Sequence, residues 1–324
     1  MCTAVTYVTR DHYFGRNLDL EYSYQETVTI TPRNFPFHFR LIPTIAHHYA
    51  MIGMATVVDG YPLYYEATNE KGLSMAGLNF PGNATYLPPA PGQKNVTPFE
   101  LVPYLLGRCA TVKEAKEHLH TINLVNLPFS EALPLSPLHW LISDRECSIT
   151  VEPMADGLRI FDNPVGVLTN NPPFDFHLNN LSNYLNVSID PAINRFSEQF
   201  PIKPYSNGMG GIGLPGDYSS ASRFVKAAFV KLNSRCGESE EESVSQFFHI
   251  LSSVAMPRGC VRVRPEEYEI TRYSCCCNTD KGIYYYNTYD HLQITGIDLH
   301  RENLDGTAVI SYPLIKTQPF PIYN

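Results

Sequence analysis

Short runs in which apolar and polar residues alternate dominate the first third of the chain. Such alternation is typical of β-strands, because successive side chains point to opposite faces of a sheet. Residues 3–9 (TAVTYVT) and 13–20 (YFGRNLDL) are rich in β-branched and aromatic residues, and the turn signal Arg10-Asp11-His12 between them predicts a hairpin that fixes the N-terminus in a sheet. Comparable runs predict strands at 27–31, 49–58, 63–68, 73–80, 138–143, 148–152, 158–161, 165–169, 268–275, 282–289 and 293–299.

Helical signals occur in two pairs of segments. Thr97-Pro98-Phe99-Glu100 has Thr at the N-cap, Pro at the first helical position and Glu three residues after the cap, which predicts a helix to about residue 108 that Pro103 kinks or shortens. Thr111 repeats the cap signal for a helix to about residue 120, and apolar spacing predicts helices at 219–232 and 241–254. Because helices and strands are segregated, we expect one α+β domain over residues 1–324, a four-layer sandwich of two antiparallel sheets flanked by helices.

Composition narrows the class of protein. The formal net charge of −8, with Lys and Arg scattered along the chain, disfavours nucleic-acid binding, and no apolar run is long enough to span a membrane. The start of the chain has no basic region followed by an apolar stretch, so we expect a cytoplasmic protein whose eight cysteines stay reduced.

Two motifs that could indicate a cofactor fail on inspection. The glycine-rich segment 208–216 lacks the strand, the directly following helix and the acidic residue of a dinucleotide site, and it has no P-loop lysine. There is no CxxC pair or HExxH motif, and Cys275-Cys276-Cys277 alternates between the faces of a strand. We therefore expect no metal and no organic cofactor.

Cys2 is the strongest candidate for a catalytic residue. Removal of Met1, which the small second residue permits, would leave a thiol and a free α-amine on one residue. An unperturbed α-amine has a pKa of about 7.7 to 8.0 and an unperturbed Cys thiol has one of about 8.5, so either group can exchange a proton near neutral pH. Such a residue contains both a nucleophile and a base.

The residues around Cys2 leave several possibilities open. In the predicted hairpin either Arg16, Leu18 and Leu20 or Asn17 and Asp19 approach the terminus, and a spacing of three puts Arg16 and Asp19 on opposite faces of a regular strand. Segments 76–82 and 168–173 each end a strand with Asn followed closely by Pro, where N–H donors could stabilise an oxyanion. The residues alone do not choose between Asn170 and Asn171.

Taken together, the chain closely resembles the choloylglycine hydrolase family of the N-terminal nucleophile superfamily. The resemblance extends over nearly the whole chain. It is carried by the segments MCTAVTY, YFGRNLDLE, NEKGLSMAGLNFPGNA, NVTPFE, LPLSPLHWLISD, DNPVGVLTNNPPFDF, GMGGIGLPGDYSSASRFVKA and SQFFHILSSV.

The resemblance implies hydrolysis of the amide bond of glycine- or taurine-conjugated bile salts through a thioester on Cys2. Asn79 favours bile salts over penicillin V, since related penicillin acylases tend to carry Tyr at that position. A homotetramer without membrane insertion is also implied. The implied catalytic residues are Cys2, Arg16, Asp19, Asn79, Asn171 and Arg223.

A steroid substrate requires a broad apolar pocket. Its candidate residues are Leu18, Leu20, Tyr24, Phe129, Leu133 and Leu135. The alternatives are a penicillin V acylase or an N-acyl homoserine lactone acylase on the same scaffold, a non-catalytic sterol carrier and, more remotely, a papain-like protease.

Overall fold

Strands dominate the computed structural model, which describes residues 1–324. Both strands of the predicted N-terminal hairpin form, the strands predicted at 27–31 and 138–143 have the predicted ends, and the other predicted strands appear with shifted ends. The first nine strands are β1 (Cys2–Val8), β2 (His12–Leu20), β3 (Thr27–Thr31), β4 (Met51–Val58), β5 (Tyr61–Asn69), β6 (Ser74–Asn79), β7 (Lys94–Val96), β8 (Ile122–Leu124) and β9 (Leu138–Ser143). The remaining nine are β10 (Ser148–Met154), β11 (Gly157–Asp162), β12 (Val167–Leu168), β13 (Arg262–Arg264), β14 (Glu267–Tyr268), β15 (Ile270–Asn278), β16 (Ile283–Thr288), β17 (His291–Asp298) and β18 (Ile310–Pro313).

Four of the five helices lie where the capping and spacing signals predict them. Thr111 caps the second helix by accepting a hydrogen bond from the backbone of Glu114, and the helix that contains Pro103 is short. The sequence pattern does not predict the helix at 174–180. The helices are α1 (Leu101–Leu106), α2 (Val112–Leu119), α3 (Phe174–Asn180), α4 (Ser220–Asn233) and α5 (Glu240–Ser252).

Two large antiparallel sheets form the centre of the molecule. One has six strands in the order β12-β1-β2-β15-β16-β17, and the other has eight in the order β11-β10-β9-β6-β5-β4-β3-β18. Two small two-stranded sheets, β13-β14 and the parallel pair β7-β8, complete the strand pairing.

Helices cover the outer faces of both sheets. The pair α4 and α5 packs on the six-stranded sheet, and α1 packs on β5 and β6 of the eight-stranded sheet. The inner faces of the two sheets share one core of buried apolar side chains, and a second core lies between the eight-stranded sheet and α1 and α2. This is the expected four-layer α+β arrangement. None of the helices combines the length and the hydropathy needed to cross a bilayer.

Candidate active site

The register of β1 and β2 determines which groups share a face with the Cys2 thiol. Cys2 is paired with Leu18, and Ala4 with Arg16. Paired residues in an antiparallel sheet point to the same side, so Arg16 is a diagonal neighbour of Cys2. This side is the inner face, because Arg16 donates to carbonyl groups of the eight-stranded sheet. The Cys2 side chain is therefore buried between the two sheets.

The backbone of Cys2 continues into Met1, which extends the ladder between β1 and β2 by one residue. The Met1 ammonium group donates to the carbonyl oxygen of Asp19 at 2.7 Å, and the Asp19 N–H donates to the Met1 carbonyl oxygen at 2.9 Å. The ammonium group also forms an ion pair with Glu269. With Met1 in place, the Cys2 nitrogen is an amide that donates to Asn170 Oδ1 at 2.9 Å.

Asp19 and Arg223 approach Cys2 from the other side of the sheet. Arg223, on α4, donates through Nη1 to the Cys2 carbonyl oxygen at 2.5 Å and to Thr3 Oγ1 at 2.6 Å. Its Nη1 lies 4.0 Å from Asp19 Oδ2, a buried oxygen without a hydrogen-bond partner. Burial lowers the pKa of Arg223, and the nearby Asp19 opposes this effect. Arg16 and Asp19 thus lie on opposite faces of β2. Arg16 shares the face of the Cys2 side chain, and Asp19 lies on the face that Arg223 approaches.

The segment after β12 brings Asn170, rather than Asn171, to Cys2. Asn170 Oδ1 accepts from the Cys2 nitrogen and from Arg223 Nη2 at 2.8 Å, and its Nδ2 donates to the Asn79 carbonyl oxygen at 2.7 Å. Asn171 points away and donates to the Pro81 carbonyl oxygen at 2.5 Å. Asn170 thus makes the contact with the Cys2 nitrogen, while the oxyanion role expected for Asn171 stays a prediction. The exposed Asn79 side chain forms no hydrogen bond that would occupy its donors.

Two buried histidines hold this segment, and the sequence analysis missed both. His139 Nε2 lies 2.8 Å from the Thr169 carbonyl oxygen, and His177 Nε2 lies 2.9 Å from that of Asn170. Since a carbonyl oxygen only accepts, both Nε2 atoms carry a proton. Burial lowers the pKa of His177 to about 4, so its ring is neutral at neutral pH. A buried His in a strand or a short helix gives no sequence signal of such a role.

An apolar cavity of about 310 Å³ lies beside the site. Tyr65 and Gly77 line it, and the carbonyl groups of both residues accept hydrogen bonds from Arg16 Nη1. Its volume lies at the lower end of the range for small-molecule pockets, roughly 300–1,000 Å³. The other lining residues are Tyr24, Thr56, Leu63, Tyr64, Pro98, Phe99, Val102, Phe129, Ala132, Leu133, Pro134, Leu135, Ser136, Pro137, Leu138 and Trp140.

Four of the six pocket candidates, Tyr24, Phe129, Leu133 and Leu135, line this cavity. Leu18 and Leu20 do not. They belong to β2 of the six-stranded sheet, whereas strands of the eight-stranded sheet and the segment at 129–138 form the cavity wall. Leu18 instead packs in the core opposite Cys2, and Leu20 packs against the edge of that core.

Comparison with known proteins assigns the chain to a family. The model described as linear amide C-N hydrolases, choloylglycine hydrolase family, matches residues 2–312. The chain belongs to the choloylglycine hydrolase family. It is 56% identical to a bile salt hydrolase/transferase of Lactiplantibacillus plantarum over 314 residues, 97% of each chain. It is 39% identical to a bile salt hydrolase/transferase of Clostridium perfringens over 322 residues, 98% of each chain.

Solved structures support the same assignment. The C2A variant of the conjugated bile acid hydrolase from Clostridium perfringens superposes with a TM-score of 0.92 at 38% identity, over 100% of both chains. Penicillin V acylase from Agrobacterium tumefaciens has a TM-score of 0.76 at 20% identity, over 96% of this chain and 91% of the acylase, and shows the shared fold alone. The family assignment makes this protein a linear amide C–N hydrolase.

Proposed function

We propose that this choloylglycine hydrolase cleaves the amide bond of glycine- and taurine-conjugated bile salts, with Cys2 as the nucleophile after removal of Met1. The relatives named as bile salt hydrolases support the substrate class. The observation that carries the mechanism is the position of Cys2, whose side chain shares a face with Arg16 and whose backbone contacts Asn170 and Arg223.

Removal of Met1 converts the Cys2 amide into an amine and frees the groups that held Met1. The new amine keeps Asn170 Oδ1 as an acceptor, and the unpartnered Asp19 Oδ2 is available for another of its protons. Both contacts orient the amine without blocking the thiol, which lies on the other face. The amine then accepts the thiol proton.

Acylation follows from this arrangement. The Cys2 sulfur attacks the amide carbonyl carbon, and the Arg16 guanidinium favours the thiolate through its charge. Side-chain donors of Asn79 stabilise the tetrahedral oxyanion, while Asn170 and Arg223 hold the Cys2 backbone. The amine returns its proton to the leaving nitrogen as the carbon–nitrogen bond breaks, which releases glycine or taurine. Water then attacks the thioester, gives a proton to the amine and displaces the thiolate.

The apolar cavity is proposed to bind the steroid. This placement rests on Tyr65 and Gly77, which line the cavity and whose carbonyl groups accept hydrogen bonds from Arg16, a neighbour of the nucleophile. Aromatic and aliphatic residues such as Phe129 and Leu135 provide apolar surface without basic or acidic groups. This lining favours a flat, apolar acyl group.

The direct test compares the processed wild type with Cys2→Ser and Cys2→Ala on glycocholate and taurocholate. Both variants are expected to lose nearly all turnover, and intact mass is expected to show Met1 absent from active protein. Wild-type activity in the alanine variant would refute the mechanism. Turnover of penicillin V or an acyl homoserine lactone in preference to both bile salts would refute the substrate class.

Transfer of the acyl group to an amine is a second candidate activity, because the two relatives are named hydrolase/transferase. An amine would replace water in the attack on the thioester, forming a new amide and regenerating the thiol. Mass analysis of products after incubating glycocholate with an excess of another amino acid separates the two outcomes. Free cholate alone would exclude transfer.

Assembly into a homotetramer is also part of the proposal. Residues 185–205 carry several apolar side chains that are exposed in the isolated chain, among them Leu185, Phe196, Phe200 and Tyr205. A second copy of the chain would cover such a surface. Sedimentation analysis tests the assembly, and cell fractionation tests the cytoplasmic location.

A further inference from the structure

A buried carboxylate, Glu66, lies 3.8 Å from Arg16, the neighbour of the proposed nucleophile, and is not among the residues assigned above. It stands on β5 of the eight-stranded sheet and is 1% exposed. Its side chain crosses the space between the two sheets and meets residues of β2, β15 and β16. A buried carboxylate is costly unless it is paired and hydrogen-bonded.

Every group that faces the Glu66 carboxylate is a donor or a cation. Tyr284 donates its hydroxyl to Oε1 at 2.6 Å, and Tyr273 donates its hydroxyl to Oε2 at 2.7 Å. The Cys275 thiol donates to Oε1 at 3.5 Å, and Arg16 Nε lies 3.8 Å from Oε2. Burial raises the pKa of Glu66, whereas Arg16 and the hydroxyl groups oppose that rise. A set of donors without an acceptor fits the ionised form.

Arg16 is fully buried and uses its donors unequally. Nε lies near Glu66 and donates to the Asn17 carbonyl oxygen at 3.4 Å, while Nη1 donates to the carbonyl groups of Gly77 and Tyr65. Nη2 is buried and has no partner. Burial alone would lower the pKa of Arg16, but the negative charges that Cys2 and Glu66 carry when ionised raise it. The free donor therefore belongs to a guanidinium that interacts with both Cys2 and Glu66.

We propose that Glu66 is a positioning residue for the reaction. Its ionised carboxylate, fixed by Tyr273 and Tyr284, holds the Nε edge of Arg16 and so keeps the free Nη2 group available to the Cys2 sulfur. The inference rests on the proposed function of Cys2. Without the charge of Glu66, Arg16 would keep only its carbonyl contacts and would lose the charged group that sets its orientation.

The test uses the Glu66→Gln variant of the whole chain after Met1 has been removed. The first measurement is kcat and KM on glycocholate, and the second is the rate at which iodoacetamide alkylates the N-terminal peptide, followed by mass spectrometry from pH 5 to 10. We expect kcat to fall roughly tenfold or more with KM within about twofold, since small misplacements of this kind act on the chemical step. We expect the pH of half-maximal alkylation to rise by about half a unit, because a displaced guanidinium favours the thiolate less.

Two further variants make the result interpretable. Glu70→Gln breaks the pair in which Arg33 Nη2 lies 2.6 Å from Glu70, one residue beyond β5, and is expected to lower Tm without changing kcat or the alkylation profile. Tyr284→Phe removes one donor to Glu66 while keeping its charge, and should shift both readouts in the same direction by less. It also supplies the readouts if Glu66→Gln does not fold.

An unchanged kcat, or an alkylation profile that stays or moves to lower pH, would overturn the role of Glu66. A move to lower pH would mean that Glu66 only opposes the thiolate through its negative charge. Alkylation needs no substrate, so this failure differs from failure of the proposed function, which would appear as full turnover by Cys2→Ala.

Discussion

The two faces of the six-stranded sheet contribute different chemistry to the same residue. On the inner face, the Cys2 side chain lies among Arg16, Leu18 and the residues around Glu66. On the outer face, Arg223 contacts the backbone of Cys2 and lies near Asp19. The sheet thus separates the group expected to stabilise the thiolate from the groups expected to orient the amine. Arg16, paired with Glu66, and Asp19, near Arg223, thus serve one residue from opposite faces of the sheet.

The strongest test of this separation is Asp19→Asn, which removes a charge from the outer face only. We expect kcat/KM on glycocholate to fall about 10²- to 10⁴-fold, as for other residues that orient a proton acceptor. The alkylation rate of the Cys2 thiol at pH 10 should change little, because the thiol lies on the inner face of the sheet and Asp19 on the outer face. A rate loss of less than about tenfold would mean that the outer face does not act on the amine.

Asn170 and Asn171 provide a matched pair of neighbouring residues. Asn170→Ala removes the acceptor of the Cys2 nitrogen and a partner of Arg223. We expect a loss of about 10²- to 10³-fold in kcat, against a change of only a few-fold for Asn171→Ala. Steady-state kinetics on both variants decides between them, and a larger loss for Asn171→Ala would favour the residue expected from the sequence.

Phe129→Ala probes the apolar cavity that Tyr65 and Gly77 also line. Its ring lines the cavity, and its removal should raise KM for glycocholate roughly tenfold with kcat nearly unchanged, since about 1.4 kcal/mol of apolar contact corresponds to that factor. Phe161→Ala is the control, because Phe161 packs against the core and does not line the cavity. Equal effects of the two substitutions on KM would place the substrate elsewhere.

His177, which supports Asn170, should make stability depend on pH. Its pKa is about 4 in the folded protein and about 6.5 when unfolded, so the unfolded state binds more protons between these values. The stabilisation is present above about pH 6.5 and is lost as the pH falls toward 4, by roughly 3 kcal/mol at most. Tm should therefore fall less steeply over this window in His177→Gln than in the wild type. Parallel curves would contradict the assignment.

Much of the fold could be predicted, because long elements carry their own signals. The alternation in β1 and β2 and the capping signals at Thr97 and Thr111 depend on residues close together in the chain. The elements that the sequence pattern misses are short. The strands β7, β8, β13, β14 and β18 have two to four residues, and α3 has seven. These elements are too short to show the apolar periodicity of a strand or a helix in the sequence.

The site was predictable only in part. Its position at the terminus makes Cys2 a candidate nucleophile, and the spacing of Arg16 and Asp19 correctly placed them on opposite faces. The choice between Asn170 and Asn171 depends on the direction in which a loop turns, which adjacent identical residues cannot reveal. Glu66 gives no signal either, because its partners Tyr273 and Tyr284 come from strands more than 200 residues away.

The ladder between Met1 and Asp19 has a practical consequence for anyone preparing this protein. Met1 takes part in the sheet, so under the proposed mechanism, which requires its removal, a correct fold is no guarantee of a competent catalyst. Under the same mechanism, an affinity tag fused ahead of Met1 would give folded but inactive protein that circular dichroism does not distinguish from the active enzyme. Tags belong at the other end, where Phe320, Ile322 and Tyr323 are exposed.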